Sequence, residues 1–262
     1  MNSPKLFLKK TIFQAQYKMR LKYYSLLLSA ASNLEEEGFP HWETDGLSVV
    51  LKDQKNQSSV SIAANSFTYS QDLGDEELAQ KNIETLLTKL PESLAVKSYI
   101  RLGYRKQFLI ALDMQFQELV RILRIKLFTE DESLAEILPQ QLDTFGFRMI
   151  FQEGENKFNM LLAPTAKGEL PPLNQLLNLS HLPEKNQEEI QEEFQNKIYK
   201  KILKSYPDVV LSMDIDVYRE GADIPLADAA AFVKDARSRI GSIVDNWKSY
   251  LFTTALGGKK NG

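Results

Sequence analysis

The stretch Val209-Val210-Leu211-Ser212-Met213-Asp214-Ile215-Asp216-Val217-Tyr218 constrains the fold of this chain more than any other. Successive side chains of a strand point to opposite faces. Leu211, Met213, Ile215 and Val217 therefore make one apolar face, and Asp214 and Asp216 share the other. An earlier stretch, Tyr99-Ile100-Arg101-Leu102-Gly103-Tyr104-Arg105, has the same build with the opposite charge. It puts Ile100, Leu102 and Tyr104 on one face and Arg101 and Arg105 on the other. Opposite charges on neighbouring strands form a cross-strand ladder, the simplest use for both pairs.

The elements around these strands repeat in order. Thr11 to Met19 alternates as a strand, and a helix from about Lys22 to Glu36 ends at Gly38. Leu47, Val49 and Leu51 make a short strand, Lys52 to Ser58 a hairpin loop, and Ser59 to Tyr69 its return strand. Asp75, followed by Glu76 and Glu77, starts a helix that Pro91 stops. The arginine strand at 97–112 and a helix near 115–128 follow. Phe145, Phe147, Met149 and Phe151 then alternate into a turn at Gly154-Glu155, and Phe158, Met160 and Leu162 alternate out of it. After the loop Pro164 to Pro172 and a short apolar helix, Ile190, Phe194, Ile198 and Ile202 mark a longer helix, which leads to the aspartate strand. The expected fold is α+β: a hairpin-helix-strand-helix unit occurring twice, with antiparallel sheets packed against helices. Residues 1–130 form the first unit with an additional strand and helix in front, 140–252 the second, and 253–262 a flexible tail.

The final helix carries Leu226, Ala229, Val233, Ala236, Ile240, Ile243, Trp247 and Tyr250 at alternating steps of three and four, a coiled-coil-like seam. It packs either on the chain's own sheet or on a second copy. In the second case Val233, Ile240 and Trp247 form a homodimer contact.

Composition removes whole classes of chemistry. The chain has no cysteine, and its two histidines, His41 and His181, lie far apart. Disulfides, thiolate zinc sites, cysteine nucleophiles and imidazole metal clusters are excluded. A net charge of -3 in 262 residues disfavours nucleic acid as partner. The basic residues Lys5, Lys9, Lys10, Lys18, Arg20 and Lys22 are spread over a strand and its flanks. Split at residue 130, the chain has 17 basic and 15 acidic residues before and 15 and 20 after, an asymmetry too small to identify a partner. No apolar run approaches the roughly 18 to 20 residues of a membrane span, and the amino terminus lacks the apolar core of a signal peptide, so the expected location is cytoplasmic.

Asp214 and Asp216 also have a catalytic reading. Two carboxylates two apart on a strand can grip one divalent cation, with Arg101 and Arg105 on a phosphate. Such enzymes need a third carboxylate or a phosphate-cradling loop, and neither G-x-x-x-x-G-K-[ST] nor G-x-G-x-x-G occurs. Tyr104 falls on the strand face opposite the arginines, against a shared anion pocket. The acidic cluster Glu35, Glu36 and Glu37 reads as solvated surface, and His41-Trp42 as a turn.

The segments Arg101-Leu102-Gly103-Tyr104-Arg105 and Met213-Asp214-Ile215-Asp216-Val217-Tyr218, the stretch Ser66 to Leu78 and the terminal helix resemble a sporadically distributed bacterial family of about 250 residues and unknown function. Its members carry Arg-x-Gly-x-Arg-Tyr-like and Leu-Asp-Ile-Asp-like strands; here Lys106 and Gln107 follow Arg105. The resemblance implies an accessory trait, such as part of a defence or toxin–antitoxin cassette, and brings no catalytic residue. The expected function is non-enzymatic binding of another protein, without cofactor or metal. The alternative is a metal- or nucleotide-dependent enzyme using Asp214 and Asp216 with Arg101 and Arg105.

Overall fold

The computed structural model describes residues 5–18, 23–45, 47–53, 55–72, 75–127, 146–166 and 208–253. Contacts divide the chain into two compact units. The larger comprises Leu8–Phe108, Arg148–Leu161 and Met213–Gly262, the smaller Met1–Phe7, Leu109–Phe147 and Leu162–Ser212.

The strands are β1 (Lys5–Tyr17), β2 (His41–Thr44), β3 (Ser48–Asp53), β4 (Ser58–Ala63), β5 (Ser66–Asp72), β6 (Ser98–Leu112), β7 (Phe147–Glu153), β8 (Asn156–Ala166) and β9 (Val209–Pro225), and all of them but residues 5–7, 109–112, 147, 162–166 and 209–212 belong to the larger unit. They form one sheet in the order β2-β3-β4-β5-β1-β6-β9-β8-β7. Strands β2 to β5 are successive antiparallel neighbours, and β1 pairs antiparallel with β5, Phe13 opposite Tyr69 and Ala15 opposite Phe67. Strands β6 and β9 also run antiparallel. Ser98, Arg101 and Arg105 meet Asp223, Glu220 and Asp214 in turn, so numbers rise on one strand as they fall on the other.

One face of this sheet is apolar. Phe13, Ala15 and Tyr17 of β1, Val60 and Ile62 of β4, Phe67 and Tyr69 of β5, and Met213, Ile215 and Val217 of β9 are all buried. The helices α1 (Tyr23–Glu36), α2 (Glu76–Ser93) and α4 (Asp228–Lys248) belong to the same unit. They bury Leu27, Ala30 and Leu34, then Ile83, Leu86 and Leu90, then Phe232, Val233, Ala236 and Ile240. The alternation expected for the aspartate strand is thus observed. Along β6 it is irregular. Tyr99 is buried against Phe67, Ile100 and Arg101 are half-buried, and Leu102, Gly103 and Tyr104 are buried in succession, as are Phe108, Leu109 and Ile110.

Two helix ends share one design. At the end of α1, Phe39 donates its N–H to the Leu34 carbonyl (3.3 Å) and Gly38 donates to Glu35 (3.3 Å). At the end of α2, Val96 donates to Pro91 (2.8 Å) and Ala95 to Glu92 (3.1 Å). Both are Schellman motifs, which need one residue at positive φ. Gly38 supplies it at φ 106°, and Ala95 supplies it at 51° against the preference of an L residue. Pro91 does not stop α2, as the sequence reading had it; the helix runs on to Ser93. A proline in the last turn removes one backbone donor, and the Schellman bonds close the end beyond it. Asp75 caps the start as expected, its side chain accepting from the N–H of Glu77 (2.8 Å).

Ser59 to Tyr69 is not one strand but the end of β4, a turn at Ala64-Asn65, and β5. His41-Trp42 lies in the edge strand β2 rather than in a turn.

In the smaller unit, α3 (Phe116–Leu127) buries Leu119, Val120 and Leu123, and the buried ends of β6 and β9 supply Ile110, Leu112 and Val210. The helices expected between Leu173 and Lys204, and the tail after Thr253, lie outside the described residues. Among the described residues, no helix is long and apolar enough to cross a membrane.

Candidate functional site: a charge ladder on the polar sheet face

The second face of the sheet is polar at its centre, where the inward residues of β1, β6 and β9 alternate with Gln14, Gln16, Arg105, Gln107, Asp214 and Asp216. Its centre is where β1, β6 and β9 lie side by side. Arg105 grips Asp214 through both carboxylate oxygens. Its Nε donates to Oδ1 at 2.7 Å and its Nη2 to Oδ2, and Gln107 Nε2 also donates to Oδ2 at 3.0 Å. A forked guanidinium matched to a carboxylate is the strongest side-chain pair available to a protein. Hydrogen bonding to Asp214 pushes the Arg105 guanidinium further up, against the opposing effect of its partial burial.

Arg101 is shared more loosely. Its Nη1 donates to Gln14 Oε1 at 2.8 Å, while its Nη2 lies 3.7 Å from Asp216 Oδ2 and its Nε 3.7 Å from Glu220 Oε1. The same guanidinium sits over the Tyr218 ring, 4.9 Å from its centre. Lys157 approaches that ring at 5.8 Å and donates to Glu220 Oε2 at 3.0 Å. Gln14 is a junction, also donating to Thr68 Oγ1 (3.3 Å) and accepting from Gln16 Nε2 (3.2 Å). Burial pushes the Asp216 carboxyl up from the usual carboxylate range and the Asp214 charge adds to the effect, with Arg101 and Arg105 pulling the other way. Asp214 and Asp216 are thus unequal: one is held by a close fork, the other by charges at a distance.

All four residues singled out from sequence therefore meet on one face of one unit. Tyr104 is buried on the other face, as its parity required. Gln14, Gln107, Tyr218, Glu220 and Lys157 join the four without being candidate site residues in the sequence. Their signal is only that they occupy polar alternation positions of neighbouring strands, and strand order cannot be read from one chain.

A second polar cluster lies on the apolar face. Lys106 is 3% exposed. Its ammonium bonds Glu76 Oε1 at the start of α2 and lies 5.6 Å from the Tyr104 ring centre. Arg237 of α4 donates to the same Glu76 oxygen at 2.6 Å and also reaches Gln80. Burial lowers the Lys106 ammonium, Glu76 raises it, and Arg237 lowers it again, with a net downward shift. Burial works against the Glu76 carboxylate, but Lys106 and Arg237 hold it below the usual range. The cluster ties α2, β6 and α4 together. Lys106 interrupts the run Leu102, Tyr104, Phe108 at an inward position, a signal that was readable.

The remaining candidates are dispersed. Among the described residues no group of three His, Cys, Asp or Glu side chains could hold a metal ion. Glu37 pairs with Lys89 at 3.1 Å, Lys10 with Asp72 at 3.3 Å and Lys18 with Asp223 at 3.3 Å. His41 is exposed on β2, and His181, Arg20 and Lys22 lie outside the described residues. Along the α4 seam, Val233 and Ile240 are buried within their own chain and Trp247 is half-buried, its ring edge-on to Tyr250 at 5.8 Å.

No protein-family model matches the chain, and no curated protein matches it.

Proposed function

We propose that this chain is a non-enzymatic protein-binding component, an adaptor whose sheet receives another protein. The observation that carries the reading is the state of Asp214. A carboxylate meant for a cation needs free oxygens, and here both oxygens accept from Arg105 and one also accepts from Gln107. The arginines that would face a phosphate are turned to Asp214, Gln14 and Tyr218. The bacterial accessory setting, a defence or toxin–antitoxin cassette, follows from the resemblance of the arginine and aspartate strands alone, and the cytoplasmic location is supported by the absence of cysteine.

In the same reading the two halves of the chain are structural repeats. The hairpin of Leu47–Leu51 with Ser59–Tyr69, helix α2, strand β6 and helix α3 correspond to hairpin β7–β8, the helix expected from Ile190, Phe194, Ile198 and Ile202 outside the described residues, strand β9 and helix α4, so residues 1–130 and 140–252 each supply part of one sheet. The adjacency of β6 and β9 supports this, and β1, standing between β5 and β6, is the departure from it.

The competing enzyme reading has one observation in its favour, the raised Asp216 carboxyl. Thermal shift with nucleotides and with Mg²⁺ or Mn²⁺ separates the two. No shift is expected. A rise that disappears in Asp214→Asn would overturn the adaptor reading, and a pull-down from the native host should return one stoichiometric companion.

A further inference from the structure

The two edges of the sheet differ in kind. β2 is four residues long, with His41 and Thr44 exposed, the short polar edge by which proteins discourage strand addition. β7, at the opposite edge, runs seven residues, Phe147-Arg148-Met149-Ile150-Phe151-Gln152-Glu153, without proline or lysine. Ile150 is 63% exposed and Phe151 38%, and on the neighbouring strand β8 Leu161 is 41% exposed. Arg148 donates to Asn159 at 2.8 Å, so Ile150, two residues beyond Arg148, and Leu161, two beyond Asn159, project from the same face. On the other face Phe151 stacks on Phe158 at 4.8 Å. Apolar surface thus flanks a strand whose outer edge has no strand beside it among the described residues.

We propose that β7 is a self-association edge: two copies of this chain pair their β7 strands antiparallel about Ile150, joining their sheets into one. The sequence of the strand selects this occupant. A two-fold axis normal to a sheet must pass through two copies of one residue, because paired residues share a face. With the axis at Ile150, Ile150 meets Ile150, Met149 meets Phe151 twice, and Arg148 meets Gln152 twice. Apolar faces apolar and polar faces polar over the five central positions, and only the end residues Phe147 and Glu153 meet an unlike partner. An axis at Met149 would set Arg148 against Ile150, and one at Phe151 would set Ile150 against Gln152. No like charges are brought opposite one another in the favoured register, and Glu153 is already paired with Arg239 at 2.9 Å. This edge is separate from the α4 seam and does not rest on the adaptor reading, since a second copy would occupy it whatever the sheet binds.

The test is sedimentation equilibrium of the full chain across a concentration series. The native protein is expected as a dimer, Ile150→Lys as a monomer with an unchanged circular dichroism spectrum, and Ile150→Thr, which keeps strand propensity, as a weakened dimer. Because the chain has no cysteine, Ile150→Cys introduces its only thiol. Mild oxidation should link two copies several-fold more efficiently than in Leu47→Cys, an equally exposed control on the other side of the sheet order. A native protein that stays monomeric throughout overturns the proposal. So does a dimer that survives Ile150→Lys while Ile150→Cys links no better than the control, which would direct attention to α4 instead.

Discussion

Replacing Glu76 by glutamine should cost far more than replacing Lys106 by methionine, although the two side chains form one pair. The Lys106 ammonium is nearly sealed from water, and its anionic partner is Glu76. Removing one member of a buried pair costs about 3–5 kcal/mol, because the remaining charge stays desolvated. Glu76 is 37% exposed and glutamine keeps an acceptor oxygen, so about 2 kcal/mol is expected. Lys106→Met removes the buried charge itself, keeps a similar volume and leaves Glu76 paired with Arg237. Its cost should be within about 1 kcal/mol of zero. Urea unfolding followed by tryptophan fluorescence reads this difference, since Trp42 and Trp247 both belong to the larger unit. The pH dependence adds a sign. Glu76 is held below the ordinary carboxylate range when folded, so its contribution is present above the unfolded value and is lost as pH falls through the folded one. The Glu76→Gln penalty should therefore be full at neutral pH and shrink in acid. Equal penalties for the two variants, or a Glu76→Gln change under about 0.5 kcal/mol, would refute the reasoning.

Two further outcomes follow from single positions. Ala95→Gly should raise the urea midpoint by about 0.5 kcal/mol of stability, since relief at positive φ outweighs the freedom glycine adds to the unfolded chain, while Gly38→Ala at the matching position of α1 should lower it by about 1 kcal/mol. Asp216→Asn should raise the midpoint at pH 7, because a carboxyl whose folded value is raised favours the protonated form and its ionised form costs stability; the advantage should vanish as pH falls through the ordinary carboxylate range, and a lowered midpoint at pH 7 would mean that Arg101 outweighs burial.

The strands with a strict two-residue period were legible. Leu211 to Val217 alternates without interruption, so its faces could be assigned from sequence, and Asp75 and Gly38 marked helix ends by known chemistry. The failures have physical causes. In Ser59 to Tyr69 the apolar positions change parity at the turn, from Val60 and Ile62 to Phe67 and Tyr69, but the small residues Ala63, Ala64 and Ser66 between them blur the change, and β2 is four polar-rich residues whose sheet pairing is with β3. The insertion of β1 between β5 and β6 joins segments about 85 residues apart, which no local pattern encodes. For the same reason Arg101 and Arg105 could be matched to Asp214 and Asp216 by charge, but Gln14 could not be placed beside Arg101.

The most direct measurement is a double-mutant cycle on Arg105→Ala and Asp214→Asn, read as urea-unfolding free energies. If the charges of β6 and β9 exist to answer each other, the pair should couple by about 1–2 kcal/mol, the worth of a forked charge-assisted contact reduced because Arg105 is 43% exposed. Additive single effects, with coupling below about 0.3 kcal/mol, would contradict the account and return both side chains to the list of groups free to hold a ligand.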